Sequence, residues 1–458
     1  MSTDRFDVAI LGGGTGGYTA AIRAAQLGKR VALVEANQIG GCCLHQGCIP
    51  TKALLESASF YHRLTAQGKE FGVKAESVSF EMEQISTRRD KIVEQLYRGV
   101  QGLMKKNKIE VIQAPGRLAN PGLVQAGERL LQATAIIIAT GSTPAGLPGI
   151  EFDDQQIINS DFAVRSRSLP KSVAIIGAGA IGVEFATFYH QLGVKVTLLE
   201  ALDRLVPLED EEVSQALLQS FQRSGIDCRL GARVASAQAA EGRVQIELND
   251  GRLEAEQLLV AVGRRPRSQD IGLAEAGVDT DQRGFIKVDE WMRTTAPGIW
   301  AIGDVIGGYL LAHAAAHEGV IAVEDIAEQR VHPMKQELVT RCTYSTPEIA
   351  SVGLSEAQAV AAGHRVKVGK FPFAANGRAI IHGETAGFAK VVAEAESGAL
   401  LGTHLIGIQA TELIAEPALG QLFEADAWEL ARNIHPHPTL SEVIGEAALA
   451  ASGKALNI

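Results

Sequence analysis

Apolar runs and polar breaks follow one another along this chain in a rhythm that occurs twice. Residues 6–11 (FDVAIL) are a short apolar run, read as a buried strand, and GGGTGG follows directly. YTAAIRAAQLG then reads as a helix, and KRVALVE is a second apolar run ending in Glu35. This order predicts a strand–helix–strand unit. The rhythm returns in SVAIIGAGAIGVEFATFYHQLGVKVTLLE. Gly12, Gly14, Gly17 and Glu35 recur as Gly177, Gly179, Gly182 and Glu200, each 165 residues later. A whole supersecondary unit is therefore duplicated.

Other segments are read by the same means. Residues 81–106 have apolar positions at helical spacing among many charges, which predicts a long, partly exposed covering helix. AIIIATGS at 135–142 predicts a buried strand meeting a Gly-rich turn, and PAGLPGI after it reads as a linker. LLVAVGRRPR at 258–267 repeats the strand-and-glycine ending, with Gly263 at the turn. TTAPGIWAIGDVIGG at 294–308 predicts a further strand ending in Asp304, and 310–330 predicts a helix. After about residue 335 the pattern shifts to strands in LVTRCTYS, RVKVGKFPF, GFAKVVAEA and LLGTHLIGI, with helices to the end. This predicts an α+β domain with an antiparallel sheet and no glycine fingerprint. The expected fold is α/β, with two nested Rossmann-like dinucleotide-binding domains and a C-terminal α+β domain. The expected boundaries are 1–145, 146–270, a returning segment at 271–335, and 336–458.

Length and composition narrow the class. At 458 residues the chain is too long for one ordinary core. A net charge of −10 argues against nucleic acid as the main partner. Five cysteines in a chain this long do not make a disulfide scaffold, and in a reducing compartment a pair is more often catalytic. No apolar run approaches a membrane span, and the N-terminus shows neither a signal-peptide core nor a transit segment. The expectation is a cytoplasmic protein.

The duplicated glycines carry the first chemistry. They allow a tight turn and a close backbone approach to a pyrophosphate, which sits on the helix N-terminus. The strand-end acid accepts hydrogen bonds from ribose hydroxyls. Two such units imply two dinucleotides. The second chemistry lies in GGCCLHQGCIPTK, residues 40–52, where Cys43 and Cys48 precede a helix expected near Ile49 or Pro50. In a regular helix, residues five apart have Cα atoms roughly 8–9 Å apart. A disulfide tolerates about 7 Å at most. If the two bond, the segment between them is distorted, which Gly47 permits. Such a short-loop bond is easily reduced, and the helix N-terminus favours a thiolate at Cys48. The reading is a switching dithiol. Near the end, HPHPTLSEVIGEAAL holds His437 and Glu442, with Pro438 permitting a cis bend. Thr439 to Glu442 also matches a capping box, so Glu442 has a purely structural reading beside a functional one.

Both fingerprints, the CLHQGC dithiol, the Gly-Asp at 303–304 and HPTLSE occur in one order. Together they make the chain resemble the flavoprotein disulfide reductase family, nearly end to end. Within it the resemblance is to the branch that serves 2-oxo acid dehydrogenase and glycine cleavage complexes. The implied activity is oxidation of protein-bound dihydrolipoamide with reduction of NAD+. The implied FAD site is Gly12, Gly14, Gly17 and Glu35, with Lys52, Gly116, Thr140, Gly141, Ser142, Asp304, Leu310, Leu311, Ala312 and His313 around it. The implied NAD site is Gly177, Gly179, Gly182 and Glu200, with Val234 and Gly263. Glu184 would pair with Lys52. Residues 1–145 and 271–335 would then bind FAD, 146–270 NAD, and 336–458 would form the interface of a homodimer. The resemblance makes Cys43 the thiol that exchanges with substrate and Cys48 the one facing the flavin. It makes His437, held by Glu442, a base reaching the dithiol of the other subunit. A lipoyl domain is the implied partner.

The chain departs from the family pattern at Cys42, usually Thr, at His45, usually Asn, and at Pro436, usually Ala. None removes a reacting group. Glu200 favours NAD over NADP by repelling a 2′-phosphate, with Asp203 adding to this and Arg204 offsetting some. That weighs against NADPH-dependent reductases of the glutathione or mercury type, and no cysteine follows Cys342 to make a mercury-binding pair. A docking subunit without turnover is the non-enzymatic alternative, against which Cys43, Cys48, His437 and Glu442 all stand.

Overall fold

The computed structural model describes residues 3–74 and 77–457. The chain packs into two compact units, the first formed by Met1–Ala53, Gln84–Ala145 and Gly263–Met334. The second is formed by Leu54–Glu83, Gly146–Val262 and Lys335–Ile458.

Among the described residues, the first unit is built on a seven-stranded sheet. Strand Thr3–Leu11 lies between Val31–Glu35 and Arg129–Ile138, parallel to both, with Val8 opposite Val31 and Ala135. Such strands are buried on both faces, which is why they read as unbroken apolar runs. Glu110–Gln113 extends one side in parallel, and Ile299–Ala301 pairs in parallel with Arg129–Ile138. An antiparallel pair, Gly116–Asn120 and Leu123–Ala126, completes the sheet. Helix α1, Thr15–Gln26, buries Gly16, Gly17, Ala20, Ala21 and Ala24 on one face. Those small residues let it close on helix Ala312–Ile326. A methyl on Gly319 would lie 2.7 Å from the Gly16 oxygen, and one on Gly16 would lie 2.9 Å from the Ala315 oxygen. Both contacts are too short for any side chain.

Two short helices follow the second strand: α2, Gly41–His45, and α3, Cys48–His62. The long charged helix α4 runs Met82–Lys106, and Ile85, Ser86, Arg89 and Met104 are its buried positions. The apolar run at 294–308 behaves differently from the expectation. Its strand stops at Ala301, and Asp304 lies in a 3-10 turn, Gly303–Ile306. Gly303 takes a positive φ of 73° there, which ends the strand.

In the second unit a five-stranded parallel sheet carries the repeated device. Its central strand Ser172–Ile176 pairs with Lys195–Glu200 and Gln257–Val260. A three-stranded antiparallel sheet of 234–255 packs over it through Ala237, Val244, Ile246 and Ala255. The C-terminal segment forms a five-stranded antiparallel sheet in the order 341–343, 348–353, 400–407, 388–394, 366–372. The strand Glu348–Gly353 is one that the apolar pattern does not reveal. Its run EIASVG is too short and too mixed to stand out, and pairing with Leu400–Gly407 stabilises it. The final helix Glu442–Ala451 covers this sheet with Val443, Ile444, Ala447 and Ala448. Among the described residues no helix is long and apolar enough to cross a membrane.

Candidate functional site

The two glycine turns are built alike. Gly12 has φ +106° and Gly177 φ +97°, conformations that disfavour any side chain. A methyl on Gly17 would lie 1.9 Å from the Gly12 oxygen, and one on Gly182 1.9 Å from the Gly177 oxygen. The strand-end acids are held identically. Glu35 accepts the Gly13 N–H at 2.7 Å and the Asn37 N–H at 2.8 Å. Glu200 accepts the Ala178 N–H at 2.7 Å and the Leu202 N–H at 2.9 Å.

Gly14 and Gly179 are different. No neighbouring atom crowds Gly179 within 4 Å, and Gly14 meets only Gly41 at 4.0 Å. Each caps its helix without a side-chain acceptor, so first-turn N–H groups face outward. The protein itself does not demand a glycine there, but an anion approaching the backbone does. Both turns therefore fit the pyrophosphate of a dinucleotide.

The dithiol lies beside the first cradle. The Gly40 N–H donates to the Gly13 oxygen at 2.7 Å, and Gly41 packs directly on Gly14. Helix α2 therefore begins against the start of α1. The helix breaks at Gln46, with φ −142°, and resumes at Cys48. Gly47 does not take a left-handed conformation. Its lack of a side chain is explained by contact: a methyl there would lie 3.1 Å from the Cys42 oxygen. Cys43 and Cys48 are thiols that hydrogen-bond to each other. The hydrogen bond from Cys48 lowers the pKa of Cys43 against the opposing effect of burial, and Thr15 and Lys52 lower it further. Cys48 is pushed up, by the same hydrogen bond and by burial.

A polar cluster stands in the same unit. Ser142 donates to Asp304 Oδ2 at 2.5 Å and accepts from Arg264 Nε at 2.6 Å. Arg264 also reaches the Ser142 oxygen at 3.1 Å and Cys42 Sγ at 3.4 Å. The short strands Ser142–Pro144 and Arg264–Pro266 pair antiparallel, and that pairing delivers Arg264. Sequence reasoning missed Arg264, because its partner strand is more than a hundred residues away. Thr140 donates to the Arg267 oxygen at 2.7 Å, and Gly141 takes φ +73°. Gly116 lies on the core, where a methyl would be 2.8 Å from Leu11 and from Val34. Leu310 and Leu311 lead into helix Ala312–Ile326, whose first turn holds Ala312 and His313. Buried Glu318 on that helix accepts the Gly303 N–H at 2.7 Å and steadies the turn that carries Asp304.

The remaining predicted residues lie in the second unit, apart from Gly263. Glu184 is buried in helix Ala180–Gln191 and accepts the Tyr344 N–H at 2.9 Å. Val234 opens a strand opposite Leu248, and Gly263, at the edge of the first unit, takes φ +125°. His437 and Glu442 hold each other, Nδ1 to Oε1, at 2.9 Å. The other oxygen of Glu442 accepts the Thr439 N–H at 2.8 Å. That backbone bond is half of the expected capping box; the other half does not form, because the helix caps at Ser441 and the Thr439 hydroxyl bonds the Pro436 oxygen and Ser441 instead. Burial works against the ionisation of Glu442, but its hydrogen bonds with the Thr439 N–H and His437 outweigh it and hold the carboxyl below the usual range. The His437–Pro438 peptide is cis. No group of three or more metal-ligating side chains occurs among the described residues.

Comparison with known proteins agrees with this geometry. Residues 6–319 match the family model described as pyridine nucleotide-disulphide oxidoreductase, and 339–448 match its dimerisation domain. The dihydrolipoyl dehydrogenase of Bacillus subtilis is 46% identical, over 100% of both chains. That of Chlorobaculum parvum is 45% identical, over 98% of each. The crystal structure of LpdA from Mycobacterium tuberculosis superimposes with a TM-score of 0.91 at 28% identity, over 97% of this chain and 99% of that one. A Cu(II) complex of the HOCl-induced flavoprotein disulfide reductase of Escherichia coli gives 0.88 at 27% identity, over 98% and 99%. A duplicated dinucleotide cradle, a dithiol beside the first copy and matches along nearly the whole length leave one conclusion: the chain belongs to the pyridine nucleotide-disulphide oxidoreductase family.

Proposed function

We propose that this protein oxidises protein-bound dihydrolipoamide to lipoamide and reduces NAD+ to NADH. The observation that carries the reading is the pair of free thiols, Cys43 on α2 and Cys48 at the start of α3, against the first glycine cradle. Gly12, Gly14, Gly17 and Glu35 would hold FAD, with Lys52, Gly116, Thr140 to Ser142, Asp304 and the Leu310 to His313 stretch around it. Gly177, Gly179, Gly182 and Glu200 would hold NAD+, with Glu184, Val234 and Gly263 nearby. FAD, when bound, supplies the two-electron carrier that turns the electron pair of a dithiol into a hydride on NAD+.

The chain's own residues account for the sulfur chemistry. In the oxidised protein a substrate thiolate attacks Cys43 Sγ, the Cys43–Cys48 bond breaks, and Cys48 leaves as a thiolate. The second substrate thiolate then attacks the substrate sulfur bonded to Cys43. Cys43 leaves as a thiolate and the lipoamide ring disulfide closes. Two electrons now reside in the dithiol, and the substrate has given up two protons. His437 takes a substrate proton. A carboxylate only accepts hydrogen bonds, so Glu442 fixes the proton of His437 on Nδ1 and leaves the lone pair on Nε2. The dimerisation domain supports a homodimer, in which His437 would serve the dithiol of the second copy, and a lipoyl domain would be the docking partner.

Glu200 selects the nucleotide. Its two oxygens are fixed by the Ala178 and Leu202 N–H groups, so it cannot swing away cheaply. A 2′-phosphate about 4 Å away would be repelled by roughly 4 kcal/mol at an effective dielectric near 20, or about a thousandfold. The deciding experiment is NAD+ reduction by dihydrolipoamide, with NADPH plus oxidised glutathione run alongside. Turnover only in the first assay supports the reading, and turnover only in the second overturns it.

A further inference from the structure

The two glycine turns share a second clamp besides the strand-end acid. In the first, the Gly40 N–H donates to the Gly13 oxygen at 2.7 Å. In the second, the Val206 N–H donates to the Ala178 oxygen at 2.8 Å. Gly13 and Ala178 are equivalent residues, 165 apart. Each has its N–H taken by the acid and its C=O taken by the loop that follows that acid. A trans peptide sends its C=O and its N–H to opposite sides. Holding the Ala178 oxygen therefore fixes the direction of the Gly179 N–H, at the cap of helix Ala180–Gln191. The two donors differ in one respect. Both have a positive φ, +111° at Gly40 and +40° at Val206. Glycine takes that conformation freely, whereas for a β-branched residue it is an outlier. Strain of that kind persists only where the surroundings impose it.

Around Val206 they can be named. Its oxygen accepts the Glu209 N–H at 2.9 Å and the Ser214 hydroxyl at 3.4 Å. Glu209 is itself gripped from the C-terminal sheet. Arg341 Nε donates to one carboxylate oxygen at 3.2 Å, and the Ser351 hydroxyl donates to the other at 2.5 Å. All three residues are buried. Arg341, Ser351, His404, Lys390 and Lys370 stand opposite one another from strand to strand, so they share one face of that sheet. Lys390, on the same rung, holds Asp210, the residue after Glu209. The end of the loop is therefore fixed twice. We propose that Glu209 is a positioning residue for the nicotinamide nucleotide: held by Arg341 and Ser351, it keeps Val206 in its strained conformation and so keeps the Ala178–Gly179 peptide aimed. This role rests on the reading of the second cradle as the NAD+ site, and not on the dithiol or its substrate. It gives the C-terminal sheet a part in binding the nucleotide. The first cradle needs no such anchor, because Gly40 adopts its φ unaided.

The test is a double-mutant cycle on NAD+ affinity, read by titration calorimetry on the oxidised, flavin-loaded protein. Flavin content and the thermal midpoint are recorded for every variant. Once Glu209 lets go, the loop relaxes, and binding must restore a left-handed valine. Glu209→Ala should therefore raise the Kd for NAD+ about tenfold while the protein keeps its flavin. In the Val206→Gly background the same substitution should change the Kd by less than about twofold, because glycine reaches that φ without being held. A purely structural role for Glu209 gives the opposite result, since glycine loosens the chain further. Ser351→Ala removes one grip without orphaning a charge, and should weaken binding about threefold. It takes the place of Glu209→Ala in the cycle if that protein does not fold. Unchanged affinity in the anchor variant overturns the inference, as does an equal loss in both backgrounds. Wild-type protein that fails to bind NAD+ overturns the reading of the cradle and this role with it, a result distinct from either of those.

Discussion

Glu442→Gln is the most informative substitution, because it changes the proton on His437 while keeping shape. One oxygen of Glu442 holds His437 Nδ1 at 2.9 Å and the other holds the Thr439 N–H at 2.8 Å. The amide has one acceptor oxygen and one NH2 donor. The Thr439 N–H is a fixed donor, so the amide oxygen turns to it and the NH2 faces His437. Nδ1 must then accept, and the imidazole proton moves to Nε2. In that tautomer the outward nitrogen can no longer take a proton. Two effects contribute, and their sizes differ. The lost ion pair is small, since the His437 side chain is 78% exposed and such pairs are worth about 1 kcal/mol or less. A positioned base contributes about 10² to 10⁴ in rate. The tautomer decides the outcome, and dihydrolipoamide oxidation should fall by at least about a hundredfold. Glu442→Ala, which lets water set the tautomer, should lose less. The assay is NAD+ reduction from pH 6 to 9, with flavin content checked by visible absorbance. NADH oxidation by ferricyanide, which does not use the base, should stay within about twofold. Glu442→Gln activity within about threefold of wild type at neutral pH would refute this account of His437.

The two glycine cradles can be separated by one substitution each. Gly17→Ala and Gly182→Ala both place a methyl 1.9 Å from a backbone oxygen. Gly17→Ala should purify without flavin or fail to fold, whereas Gly182→Ala should stay yellow and lose NAD+ reduction, as read by absorbance and a binding titration. In the second unit Lys390 is 1% exposed and its ammonium bonds both Asp210 oxygens, at 3.0 and 3.1 Å. It also reaches Glu212 and Glu356, each at 2.8 Å. Lys390→Met leaves Asp210 buried without its cation, which should cost about 3–5 kcal/mol in urea unfolding; a loss under about 1 kcal/mol would contradict the assignment. Acid should have a related effect. Burial opposes ionisation of Asp210, but His404, Lys390 and the Glu212 N–H hold its carboxyl below the usual value. Its folded pKa lies below the unfolded one, so its stabilisation is complete above about pH 4 and is lost as pH falls through the folded value. The urea midpoint of the wild type should fall more steeply there than that of Lys390→Met.

The parts of the site that lie close together along the chain are legible in the sequence. Gly17 meets the oxygen of Gly12, only five residues away, so its steric demand is written locally. The acid that closes each cradle reaches back to the turn across one strand–helix–strand unit, which a 165-residue repeat exposes twice. Cys43 and Cys48 likewise announce themselves by spacing and by the helix that follows. That α1 packs against the start of α2, beside the dithiol, is not legible there, because folding alone brings Gly41 onto Gly14.

What the sequence determined by itself was the set of reacting groups and the two cradles. Each follows from contacts within one supersecondary unit, where chain connectivity fixes the geometry. Tertiary structure alone decided which groups surround them. Arg264 reaches Ser142 and Cys42 only because two three-residue strands pair across the first unit. Asp304 meets Ser142 from a 3-10 turn that reads as the end of a strand. Glu442 holds the Thr439 N–H and a histidine at once, where a local pattern could favour only one of these. Hydrogen bonds are indifferent to sequence separation, and a pattern a few residues wide cannot see a partner that folding brings from more than a hundred residues away.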